Sequence, residues 1–241
     1  DLVPPDTIVG NIGRYFVEKY GFTSDCKIVA GSGDNPQAKV LVAGNLLSLG
    51  TSFVNMVSTD GETLDLEGLA NAMYDGIGRP FMFGCRTNGA MVWDGVRALY
   101  GLGKEDYAPA EAALGQVSPG SSMALWQPKN ESFPPSGRFD LIRITHGTKP
   151  TLASDYAGII ETSLAAVYVH SEAFTKRSEA PLHVTGGASD SPEIMRRVAA
   201  IWNREIIPME KGGPALGSAV AGAYTYCKSQ GESFDVEEFS Q

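Results

Sequence analysis

Hydrophobic positions in the first quarter of the chain fall into two rhythms, one helical and one strand-like. Over residues 10–20, GNIGRYFVEKY, Ile12, Tyr15, Phe16 and Tyr20 recur at helical spacing and Gly21 follows as a stop, which predicts a short helix. The apolar run CKIVAG (26–31) predicts a buried strand, and DNPQAKVLVAG (34–44) a short helix with Pro36 as its first residue. NLLSLGTSFVNMVS (45–58) divides at Gly50-Thr51-Ser52 into two apolar arms, the pattern of a hairpin. PFMFGCR (80–86) predicts a further strand. After Asn88-Gly89, the segment AMVWDGVRALYG (90–101) puts Met91, Val92, Val96 and Leu99 on one helical face.

Another amphipathic helix is expected over residues 105–114. Residues 119–150 are rich in Pro, Gly and Ser and read as an inserted excursion holding two strand-like pieces, MALW and RFDLIRI. ASDYAGIIETSLAAVYVHSEAFTK (153–176) is the longest helical pattern, with Ser154 or Asp155 as its cap and Ile159, Ile160, Leu164 and Val167 turned inward. Beyond it the pattern alternates: strand LHVT, helix SPEIMRRVAAIWN, strand EIIP, helix PALGSAVAGAYTYC. This β-α-β-α order predicts helices packed on a sheet. The acidic tail 231–241 is expected to fray or to dock.

Composition narrows the function classes. A chain of 241 residues with 43% hydrophobic content can bury one sizeable core. The formal charge of −9 repels nucleic acid and anionic membrane surfaces, although backbone amides can still hold a small anion such as ATP. No apolar run approaches the ~20 residues of a membrane span, and no signal-peptide pattern opens the sequence. Three widely spaced cysteines, Cys26, Cys85 and Cys227, form neither a disulfide framework nor a zinc motif, so a cytoplasmic location is expected. Asn130-Glu131-Ser132 matches a glycosylation acceptor pattern that chance alone supplies at this length.

Three turns carry candidate chemistry. In GSGDNP (31–36), with Asn35 as cap, Asp34 would stand just before the positive end of a helix dipole, which favours its ionised form. A carboxylate held there suits a reaction in which a hydroxyl loses its proton late, as in phosphoryl transfer, while capping alone also accounts for Asp34 and Asn35. Gly31 and Gly33 match two glycines of a dinucleotide fingerprint, but Pro36 stands where the third belongs. In the second turn, Gly50, Thr51 and Ser52 offer backbone N–H groups and hydroxyls to an anion, or serve as a plain hairpin turn. The third, VTGGASDSPEIM, leads from a strand through Gly186-Gly187 into a helix capped by Asp190 or Ser191. Its glycines permit close approach of a flat ligand or of another strand.

With these in order, the sequence resembles the carboxy-terminal half of FGGY-family carbohydrate kinases, and within them the members acting on xylulose. The likeness rests on GSGDNP (31–36), LSLGTS (47–52), NGAMVWDGVR (88–97), TGGASDSPEIMRRVAAIWNREI (185–206) and ALGSAVAGAY (215–224), and extends from about residue 10 to 228. The resemblance implies an α/β fold of the actin-like ATPase (ribonuclease-H-like) type, a mixed sheet flanked by helices. It divides the chain into residues 1–39, the end of a mostly missing amino-terminal domain, residues 40–230, the carboxy-terminal domain, and the tail 231–241. The implied activity is ATP-dependent transfer of the γ-phosphate to a ketopentose hydroxyl, D-xylulose to D-xylulose 5-phosphate, with ATP and Mg2+. Asp34 would be the catalytic base; Gly50, Thr51 and Ser52 would meet the β- and γ-phosphates; Gly186, Gly187, Ala188 and Ser191 would lie along the adenosine. Gly33, Asn35 and Asn88 would line the cleft, and no metal ligand is assigned.

The partners implied are ATP, a small sugar, the missing amino-terminal domain and a second copy of the chain, with no nucleic acid or membrane. As a fragment the chain is expected to be inactive alone. Two departures stand out: Lys39 and Val40 occupy positions where the family has small residues. Alternatives are an FGGY kinase for another sugar or polyol, and a non-catalytic nucleotide-binding regulatory module of the same fold. His146, His170 and His183 lack a partnered nucleophile and are read as structural, as are Trp93, Trp126 and Trp202.

Overall fold

In a computed structural model, residues 2–144, 149–175, 180–209 and 213–238 are described. The chain runs β1 (Ile8–Asn11), α1 (Arg14–Tyr20), β2 (Lys27–Val29), α2 (Asp34–Val40), β3 (Leu46–Leu49), β4 (Phe53–Ser58), β5 (Asn71–Tyr74), β6 (Pro80–Arg86), α3 (Ala90–Leu99) and α4 (Tyr107–Gly115). The excursion follows with β7 (Ala124–Gln127), β8 (Glu131–Ser132), β9 (Pro135–Ser136) and β10 (Phe139–Arg143). Then come α5 (Leu152–Ser171), β11 (Leu182–Thr185), a 3-10 turn over Gly187–Asp190, α6 (Pro192–Trp202), β12 (Ile206–Pro208) and α7 (Gly213–Ser229).

Six strands form one mixed sheet in the order β12-β11-β3-β4-β6-β5. β11 runs parallel to both β12 and β3, and the remaining neighbours pair antiparallel. Helices cover both faces, so β4 is buried from Phe53 to Val57 rather than alternating with solvent. On one face Leu47, Leu49, Phe53, Leu182 and Val184 pack against Trp93, Ile160, Leu164 and Val198 of α3, α5 and α6. On the other, Leu46, Val54, Met56 and Phe81 meet Val40 of α2 and Val220 of α7.

Several local expectations are corrected. Residues 8–11 form a strand, and the first helix starts only at Arg14; Gly21 does stop it, with φ 74°. β2 is not buried: among the described residues it pairs with β1 alone, and Ile28 stays 40% exposed. α2 begins one residue before the expected cap, with Gly33 in the N-cap position, Asp34 first in the helix and Pro36 third. Proline is tolerated there because the first-turn N–H groups have no intrahelical acceptor. α5 is capped not by Ser154 or Asp155 but by Thr151, whose side chain accepts the Ser154 N–H while Ser154 reaches back to the Thr151 N–H. Asp155 lies buried instead, bound to Arg143 and to the Tyr100 hydroxyl. On α3 Leu99 is 58% exposed, and Trp93 takes the buried place. β5, an edge strand, was not expected from the pattern. The start of the tail docks: Val236 is buried and Phe234 packs on the α2–α7 cluster.

Candidate functional site at one end of the sheet

Strand direction brings the second and third turns together. β3 and β11 run parallel with Thr185 opposite Ser48, so Gly50 and Gly186 leave the sheet at the same end. β4 starts there, and β6 finishes there with Arg86 opposite Phe53, which adds the Asn88-Gly89 turn. Ligands of open α/β sheets bind in the crevice outside the carboxyl ends of such strands.

Close backbone packing fixes these turns to each other. Gly186 has φ 101°, and a Cβ placed on it would stand 2.5 Å from the Leu49 carbonyl oxygen. Only glycine satisfies both conditions. The Gly50 N–H donates to the Ser52 carbonyl (3.1 Å), and the Gly50 carbonyl accepts the Ala90 N–H (3.0 Å). Gly50 thus shapes the turn with its own amide already spent, leaving Thr51, which is exposed, and half-buried Ser52 to face a ligand. Burial first, and the Glu131 charge second, push the Cys85 thiol on β6 above its ordinary range.

Beyond Gly186, Gly187 is exposed and Ala188 half-buried on the 3-10 turn. Ser191, rather than Asp190, caps α6 by accepting the Ile194 N–H at 3.1 Å. Its hydroxyl donates to Glu111 of α4, which also accepts the Glu193 N–H (2.8 Å). The Ser191 side chain is therefore committed to the helix end, and what it presents along the turn is backbone.

Asn88, expected to line the cleft, is instead fully buried. Its Nδ2 donates to Glu131 (2.8 Å) and to the Lys129 carbonyl (3.0 Å), and its Oδ1 accepts the Lys129 N–H (3.1 Å). With every polar side-chain atom used, it latches the turn to the excursion and offers nothing to a ligand. Glu131 carried no signal beyond a chance glycosylation triplet, because the turn it holds, Arg86 to Asn88, lies more than forty residues away in sequence.

Asp34 sits exposed at the start of α2, between exposed Gly33 and half-buried Asn35, and its Oδ1 accepts the Asn35 N–H at 2.8 Å. Among the described residues no hydrogen bond or ion pair links it to the other turns. The opposite end of α2 is locked. Buried Lys39 donates from Nζ to the Val42 carbonyl (2.6 Å), and Arg79 donates to the Lys39 and Val40 carbonyls while its Nε binds Asp75. Burial first, and the Arg79 charge second, pull the Lys39 amine down to about 7. His183 on β11 is also pushed below its ordinary value, by burial and then by Lys39.

Trp93 and Trp202 are core residues and Trp126 packs beside them; none borders the turns. His170 lies edge-on to Phe133, and His146 falls outside the described residues. Among the described residues no group of three or more His, Cys, Asp or Glu side chains is gathered for a metal, and no helix is long and apolar enough to cross a membrane. The three cysteines are free thiols.

Residues 45–226 match the model of the FGGY family of carbohydrate kinases, C-terminal domain. Over 95% of its length the chain is 27% identical to a protein named xylulose kinase 2 from Arabidopsis thaliana, of which it covers 45%. It superposes with a TM-score of 0.81 and 19% identity on a ligand-bound xylulose kinase from Lactobacillus acidophilus, 99% of this chain on 50% of that one. A gluconate kinase from the same organism gives 0.83 at 20% identity, with coverage of 99% and 50%. The chain thus spans about half the length of the relatives it matches. The mixed sheet with helices on both faces has the actin-like ATPase fold of these neighbours. By the match over residues 45–226 and the shared fold, the chain belongs to the FGGY family of carbohydrate kinases.

Proposed function

We propose that this chain forms the nucleotide-holding half of an ATP-dependent kinase that converts D-xylulose to D-xylulose 5-phosphate. The observation that carries the reading is the convergence of the Gly50–Ser52 and Gly186–Ala188 turns at one end of the sheet, in a chain of this family. Thr51 and Ser52 receive the β- and γ-phosphates on the turn that Gly50 shapes, and Gly186, Gly187 and Ala188 lie against the adenosine, with the Ser191 backbone following it. The sugar 5-hydroxyl attacks the γ-phosphorus, the bond from that phosphorus to the β,γ-bridging oxygen breaks, and ADP leaves with the electron pair. Asp34 accepts the hydroxyl proton, with Gly33 and Asn35 beside it. Positioning and charge stabilisation carry such a transfer.

The described residues supply no carboxylate cage for Mg2+, so the ion is read as arriving on the phosphates, the usual manner for this metal, and no step is assigned to it. Residues 1–39 are assigned to an amino-terminal lobe and residues 40–230 to the carboxy-terminal domain. Burial supports a changeover a few residues before position 39: α1 has no buried residue, whereas Pro36 to Val40 are all buried, Ala38 with α7. The partners proposed are ATP, the sugar, that amino-terminal lobe and a second copy of the chain. Free thiols and an acidic surface suit the cytoplasm.

The test is sugar-dependent ADP release by the complete polypeptide over a panel of ketopentoses, hexonates and polyols, with and without Asp34→Asn. D-xylulose should be turned over fastest and the variant should lose at least about a hundredfold in kcat, general-base catalysis being worth that much. Substantial turnover by Asp34→Asn removes the base assignment. ATP binding without phosphorylation of any sugar replaces the enzyme with a nucleotide-binding module. The 241-residue chain alone should show no turnover, and a rate typical of a kinase from it would overturn the two-lobe reading.

A further inference from the structure

Behind the Gly50–Ser52 turn lies a latch whose central group is a buried carboxylate from the excursion. The Glu131 side chain is 0% exposed. One oxygen accepts the N–H groups of Thr87 and Ser132 (2.8 Å to the latter), and the other accepts the Asn88 N–H (3.0 Å) and its Nδ2 (2.8 Å). Arg86 stands 3.7 Å away and offsets the charge. Burial alone would raise this carboxyl, but the donors from Asn88, Thr87 and Ser132 outweigh it and hold it below the ordinary carboxylate range. The Ser132 hydroxyl adds bonds to the Cys85 carbonyl (2.6 Å) and the Thr87 hydroxyl (3.0 Å).

The latch reaches the turn without slack. A Cβ on Gly89 would stand 2.7 Å from the Thr51 carbonyl oxygen and from Ser52 Cα, and the next N–H, of Ala90, binds the Gly50 carbonyl. Displacing residues 87–89 therefore moves Thr51 and Ser52. A buried charge gathering five N–H donors at this point, the Phe133 N–H being the longest at 3.4 Å, where an apolar residue would pack without desolvation cost, calls for a reason other than stability.

We propose that Glu131 is a positioning residue for phosphate binding: through the Asn88-Gly89 turn it sets the backbone of Thr51 and Ser52 against the β- and γ-phosphates of ATP. The inference rests on the assignment of that turn to ATP made above. Because reactive geometry is sensitive to shifts of about 1 Å, a small relaxation of the turn is expected to be visible in nucleotide affinity. Glu131→Gln replaces one of the two acceptor oxygens with a donor, leaving an N–H group facing other N–H groups.

The experiment uses the complete polypeptide and compares wild type with Glu131→Gln. It reads KM for ATP, KM for D-xylulose, binding of ADP and of AMP, and the melting temperature. KM for ATP and Kd for ADP should rise about tenfold, while AMP binding and KM for the sugar change less than about twofold. A variant that is merely less stable, with KM for ATP unchanged, overturns the proposal, as does equal weakening of ADP and AMP. Should Glu131→Gln fail to fold, Asn88→Ala keeps the backbone donors to Glu131 and should give the same selective rise, about threefold; its absence has the same force. A wild type that neither binds ATP nor phosphorylates a sugar overturns the kinase reading itself, and this proposal with it.

Discussion

Replacing Lys39 by methionine should stabilise the protein at neutral and mildly acidic pH and remove a rise in stability on going to alkaline pH. Lys39 is 2% exposed, and its amine falls from 10.5 to about 7 through burial first and the Arg79 charge second, with Asp75 opposing. Since the folded value is depressed, the unfolded chain binds the extra proton between about pH 7 and 10.5, and stability rises with pH across that window. Below pH 7 the full cost of the buried charge is present; at about 1.36 kcal/mol per pH unit it is on the order of 4–5 kcal/mol. Methionine removes that cost but strips the Val42 carbonyl of its Nζ donor, a loss of about 1–3 kcal/mol. A net gain of about 1–3 kcal/mol at pH 6 is expected, shrinking by roughly 2–3 kcal/mol between pH 7 and 9. Urea unfolding of both proteins at pH 6, 7, 8 and 9 measures the difference. A wild-type-minus-variant difference that stays flat with pH would mean that Lys39 keeps its proton throughout, and the account of a desolvated amine would be wrong.

Two further substitutions probe the scaffold. Arg197 is fully buried and binds Glu161, Glu193 and the Leu114 and Val117 carbonyls, so Arg197→Met should cost about 3 kcal/mol in urea unfolding by orphaning those acceptors, and Arg197→Lys should recover little of it. Wild-type stability in either variant would show that water replaces the guanidinium. Gly186→Ala must fit a Cβ 2.5 Å from the Leu49 carbonyl at φ 101°, and should lose about 2 kcal/mol or more along with ATP binding; an alanine variant that melts and binds like wild type would show that the two turns are not in close contact.

What the sequence discloses here is what is local. The hairpin at 45–58 was legible because apolar arms and turn residues lie in one short window, and α6 because Ser191 and Pro192 form a contiguous start signal. The α5 cap escaped because Thr151 pairs with a serine at the third position, where glutamate or glutamine gives the stronger pattern. β5 escaped because Asn71–Tyr74 is an edge strand that is mostly exposed and shows no apolar alternation. CKIVAG differs from its expectation because an apolar run announces burial without naming what covers it, and among the described residues the strand pairs with β1 alone. The Asn88–Glu131 latch has no sequence signature, since its meaning comes from two segments that only the folded chain brings together.

Asp34 lies further into the helix than the capping argument expected. The capping argument placed it just outside the helix, whereas it is the first helical residue, with Gly33 in the N-cap position. More decisive is the contrast between the two ends of this seven-residue helix. From Pro36 to Val40 it is buried, Arg79 ties its Lys39 and Val40 carbonyls and Lys39 ties the Val42 carbonyl just beyond it, while the Asp34 side chain is exposed. The proposed role of Asp34 as proton acceptor calls for this combination, a side chain open to an approaching hydroxyl on a backbone that cannot retreat. The costly buried amine of Lys39 and the proposed chemistry of Asp34 then belong to one device, in which the desolvated end of a short helix holds the reactive end in place.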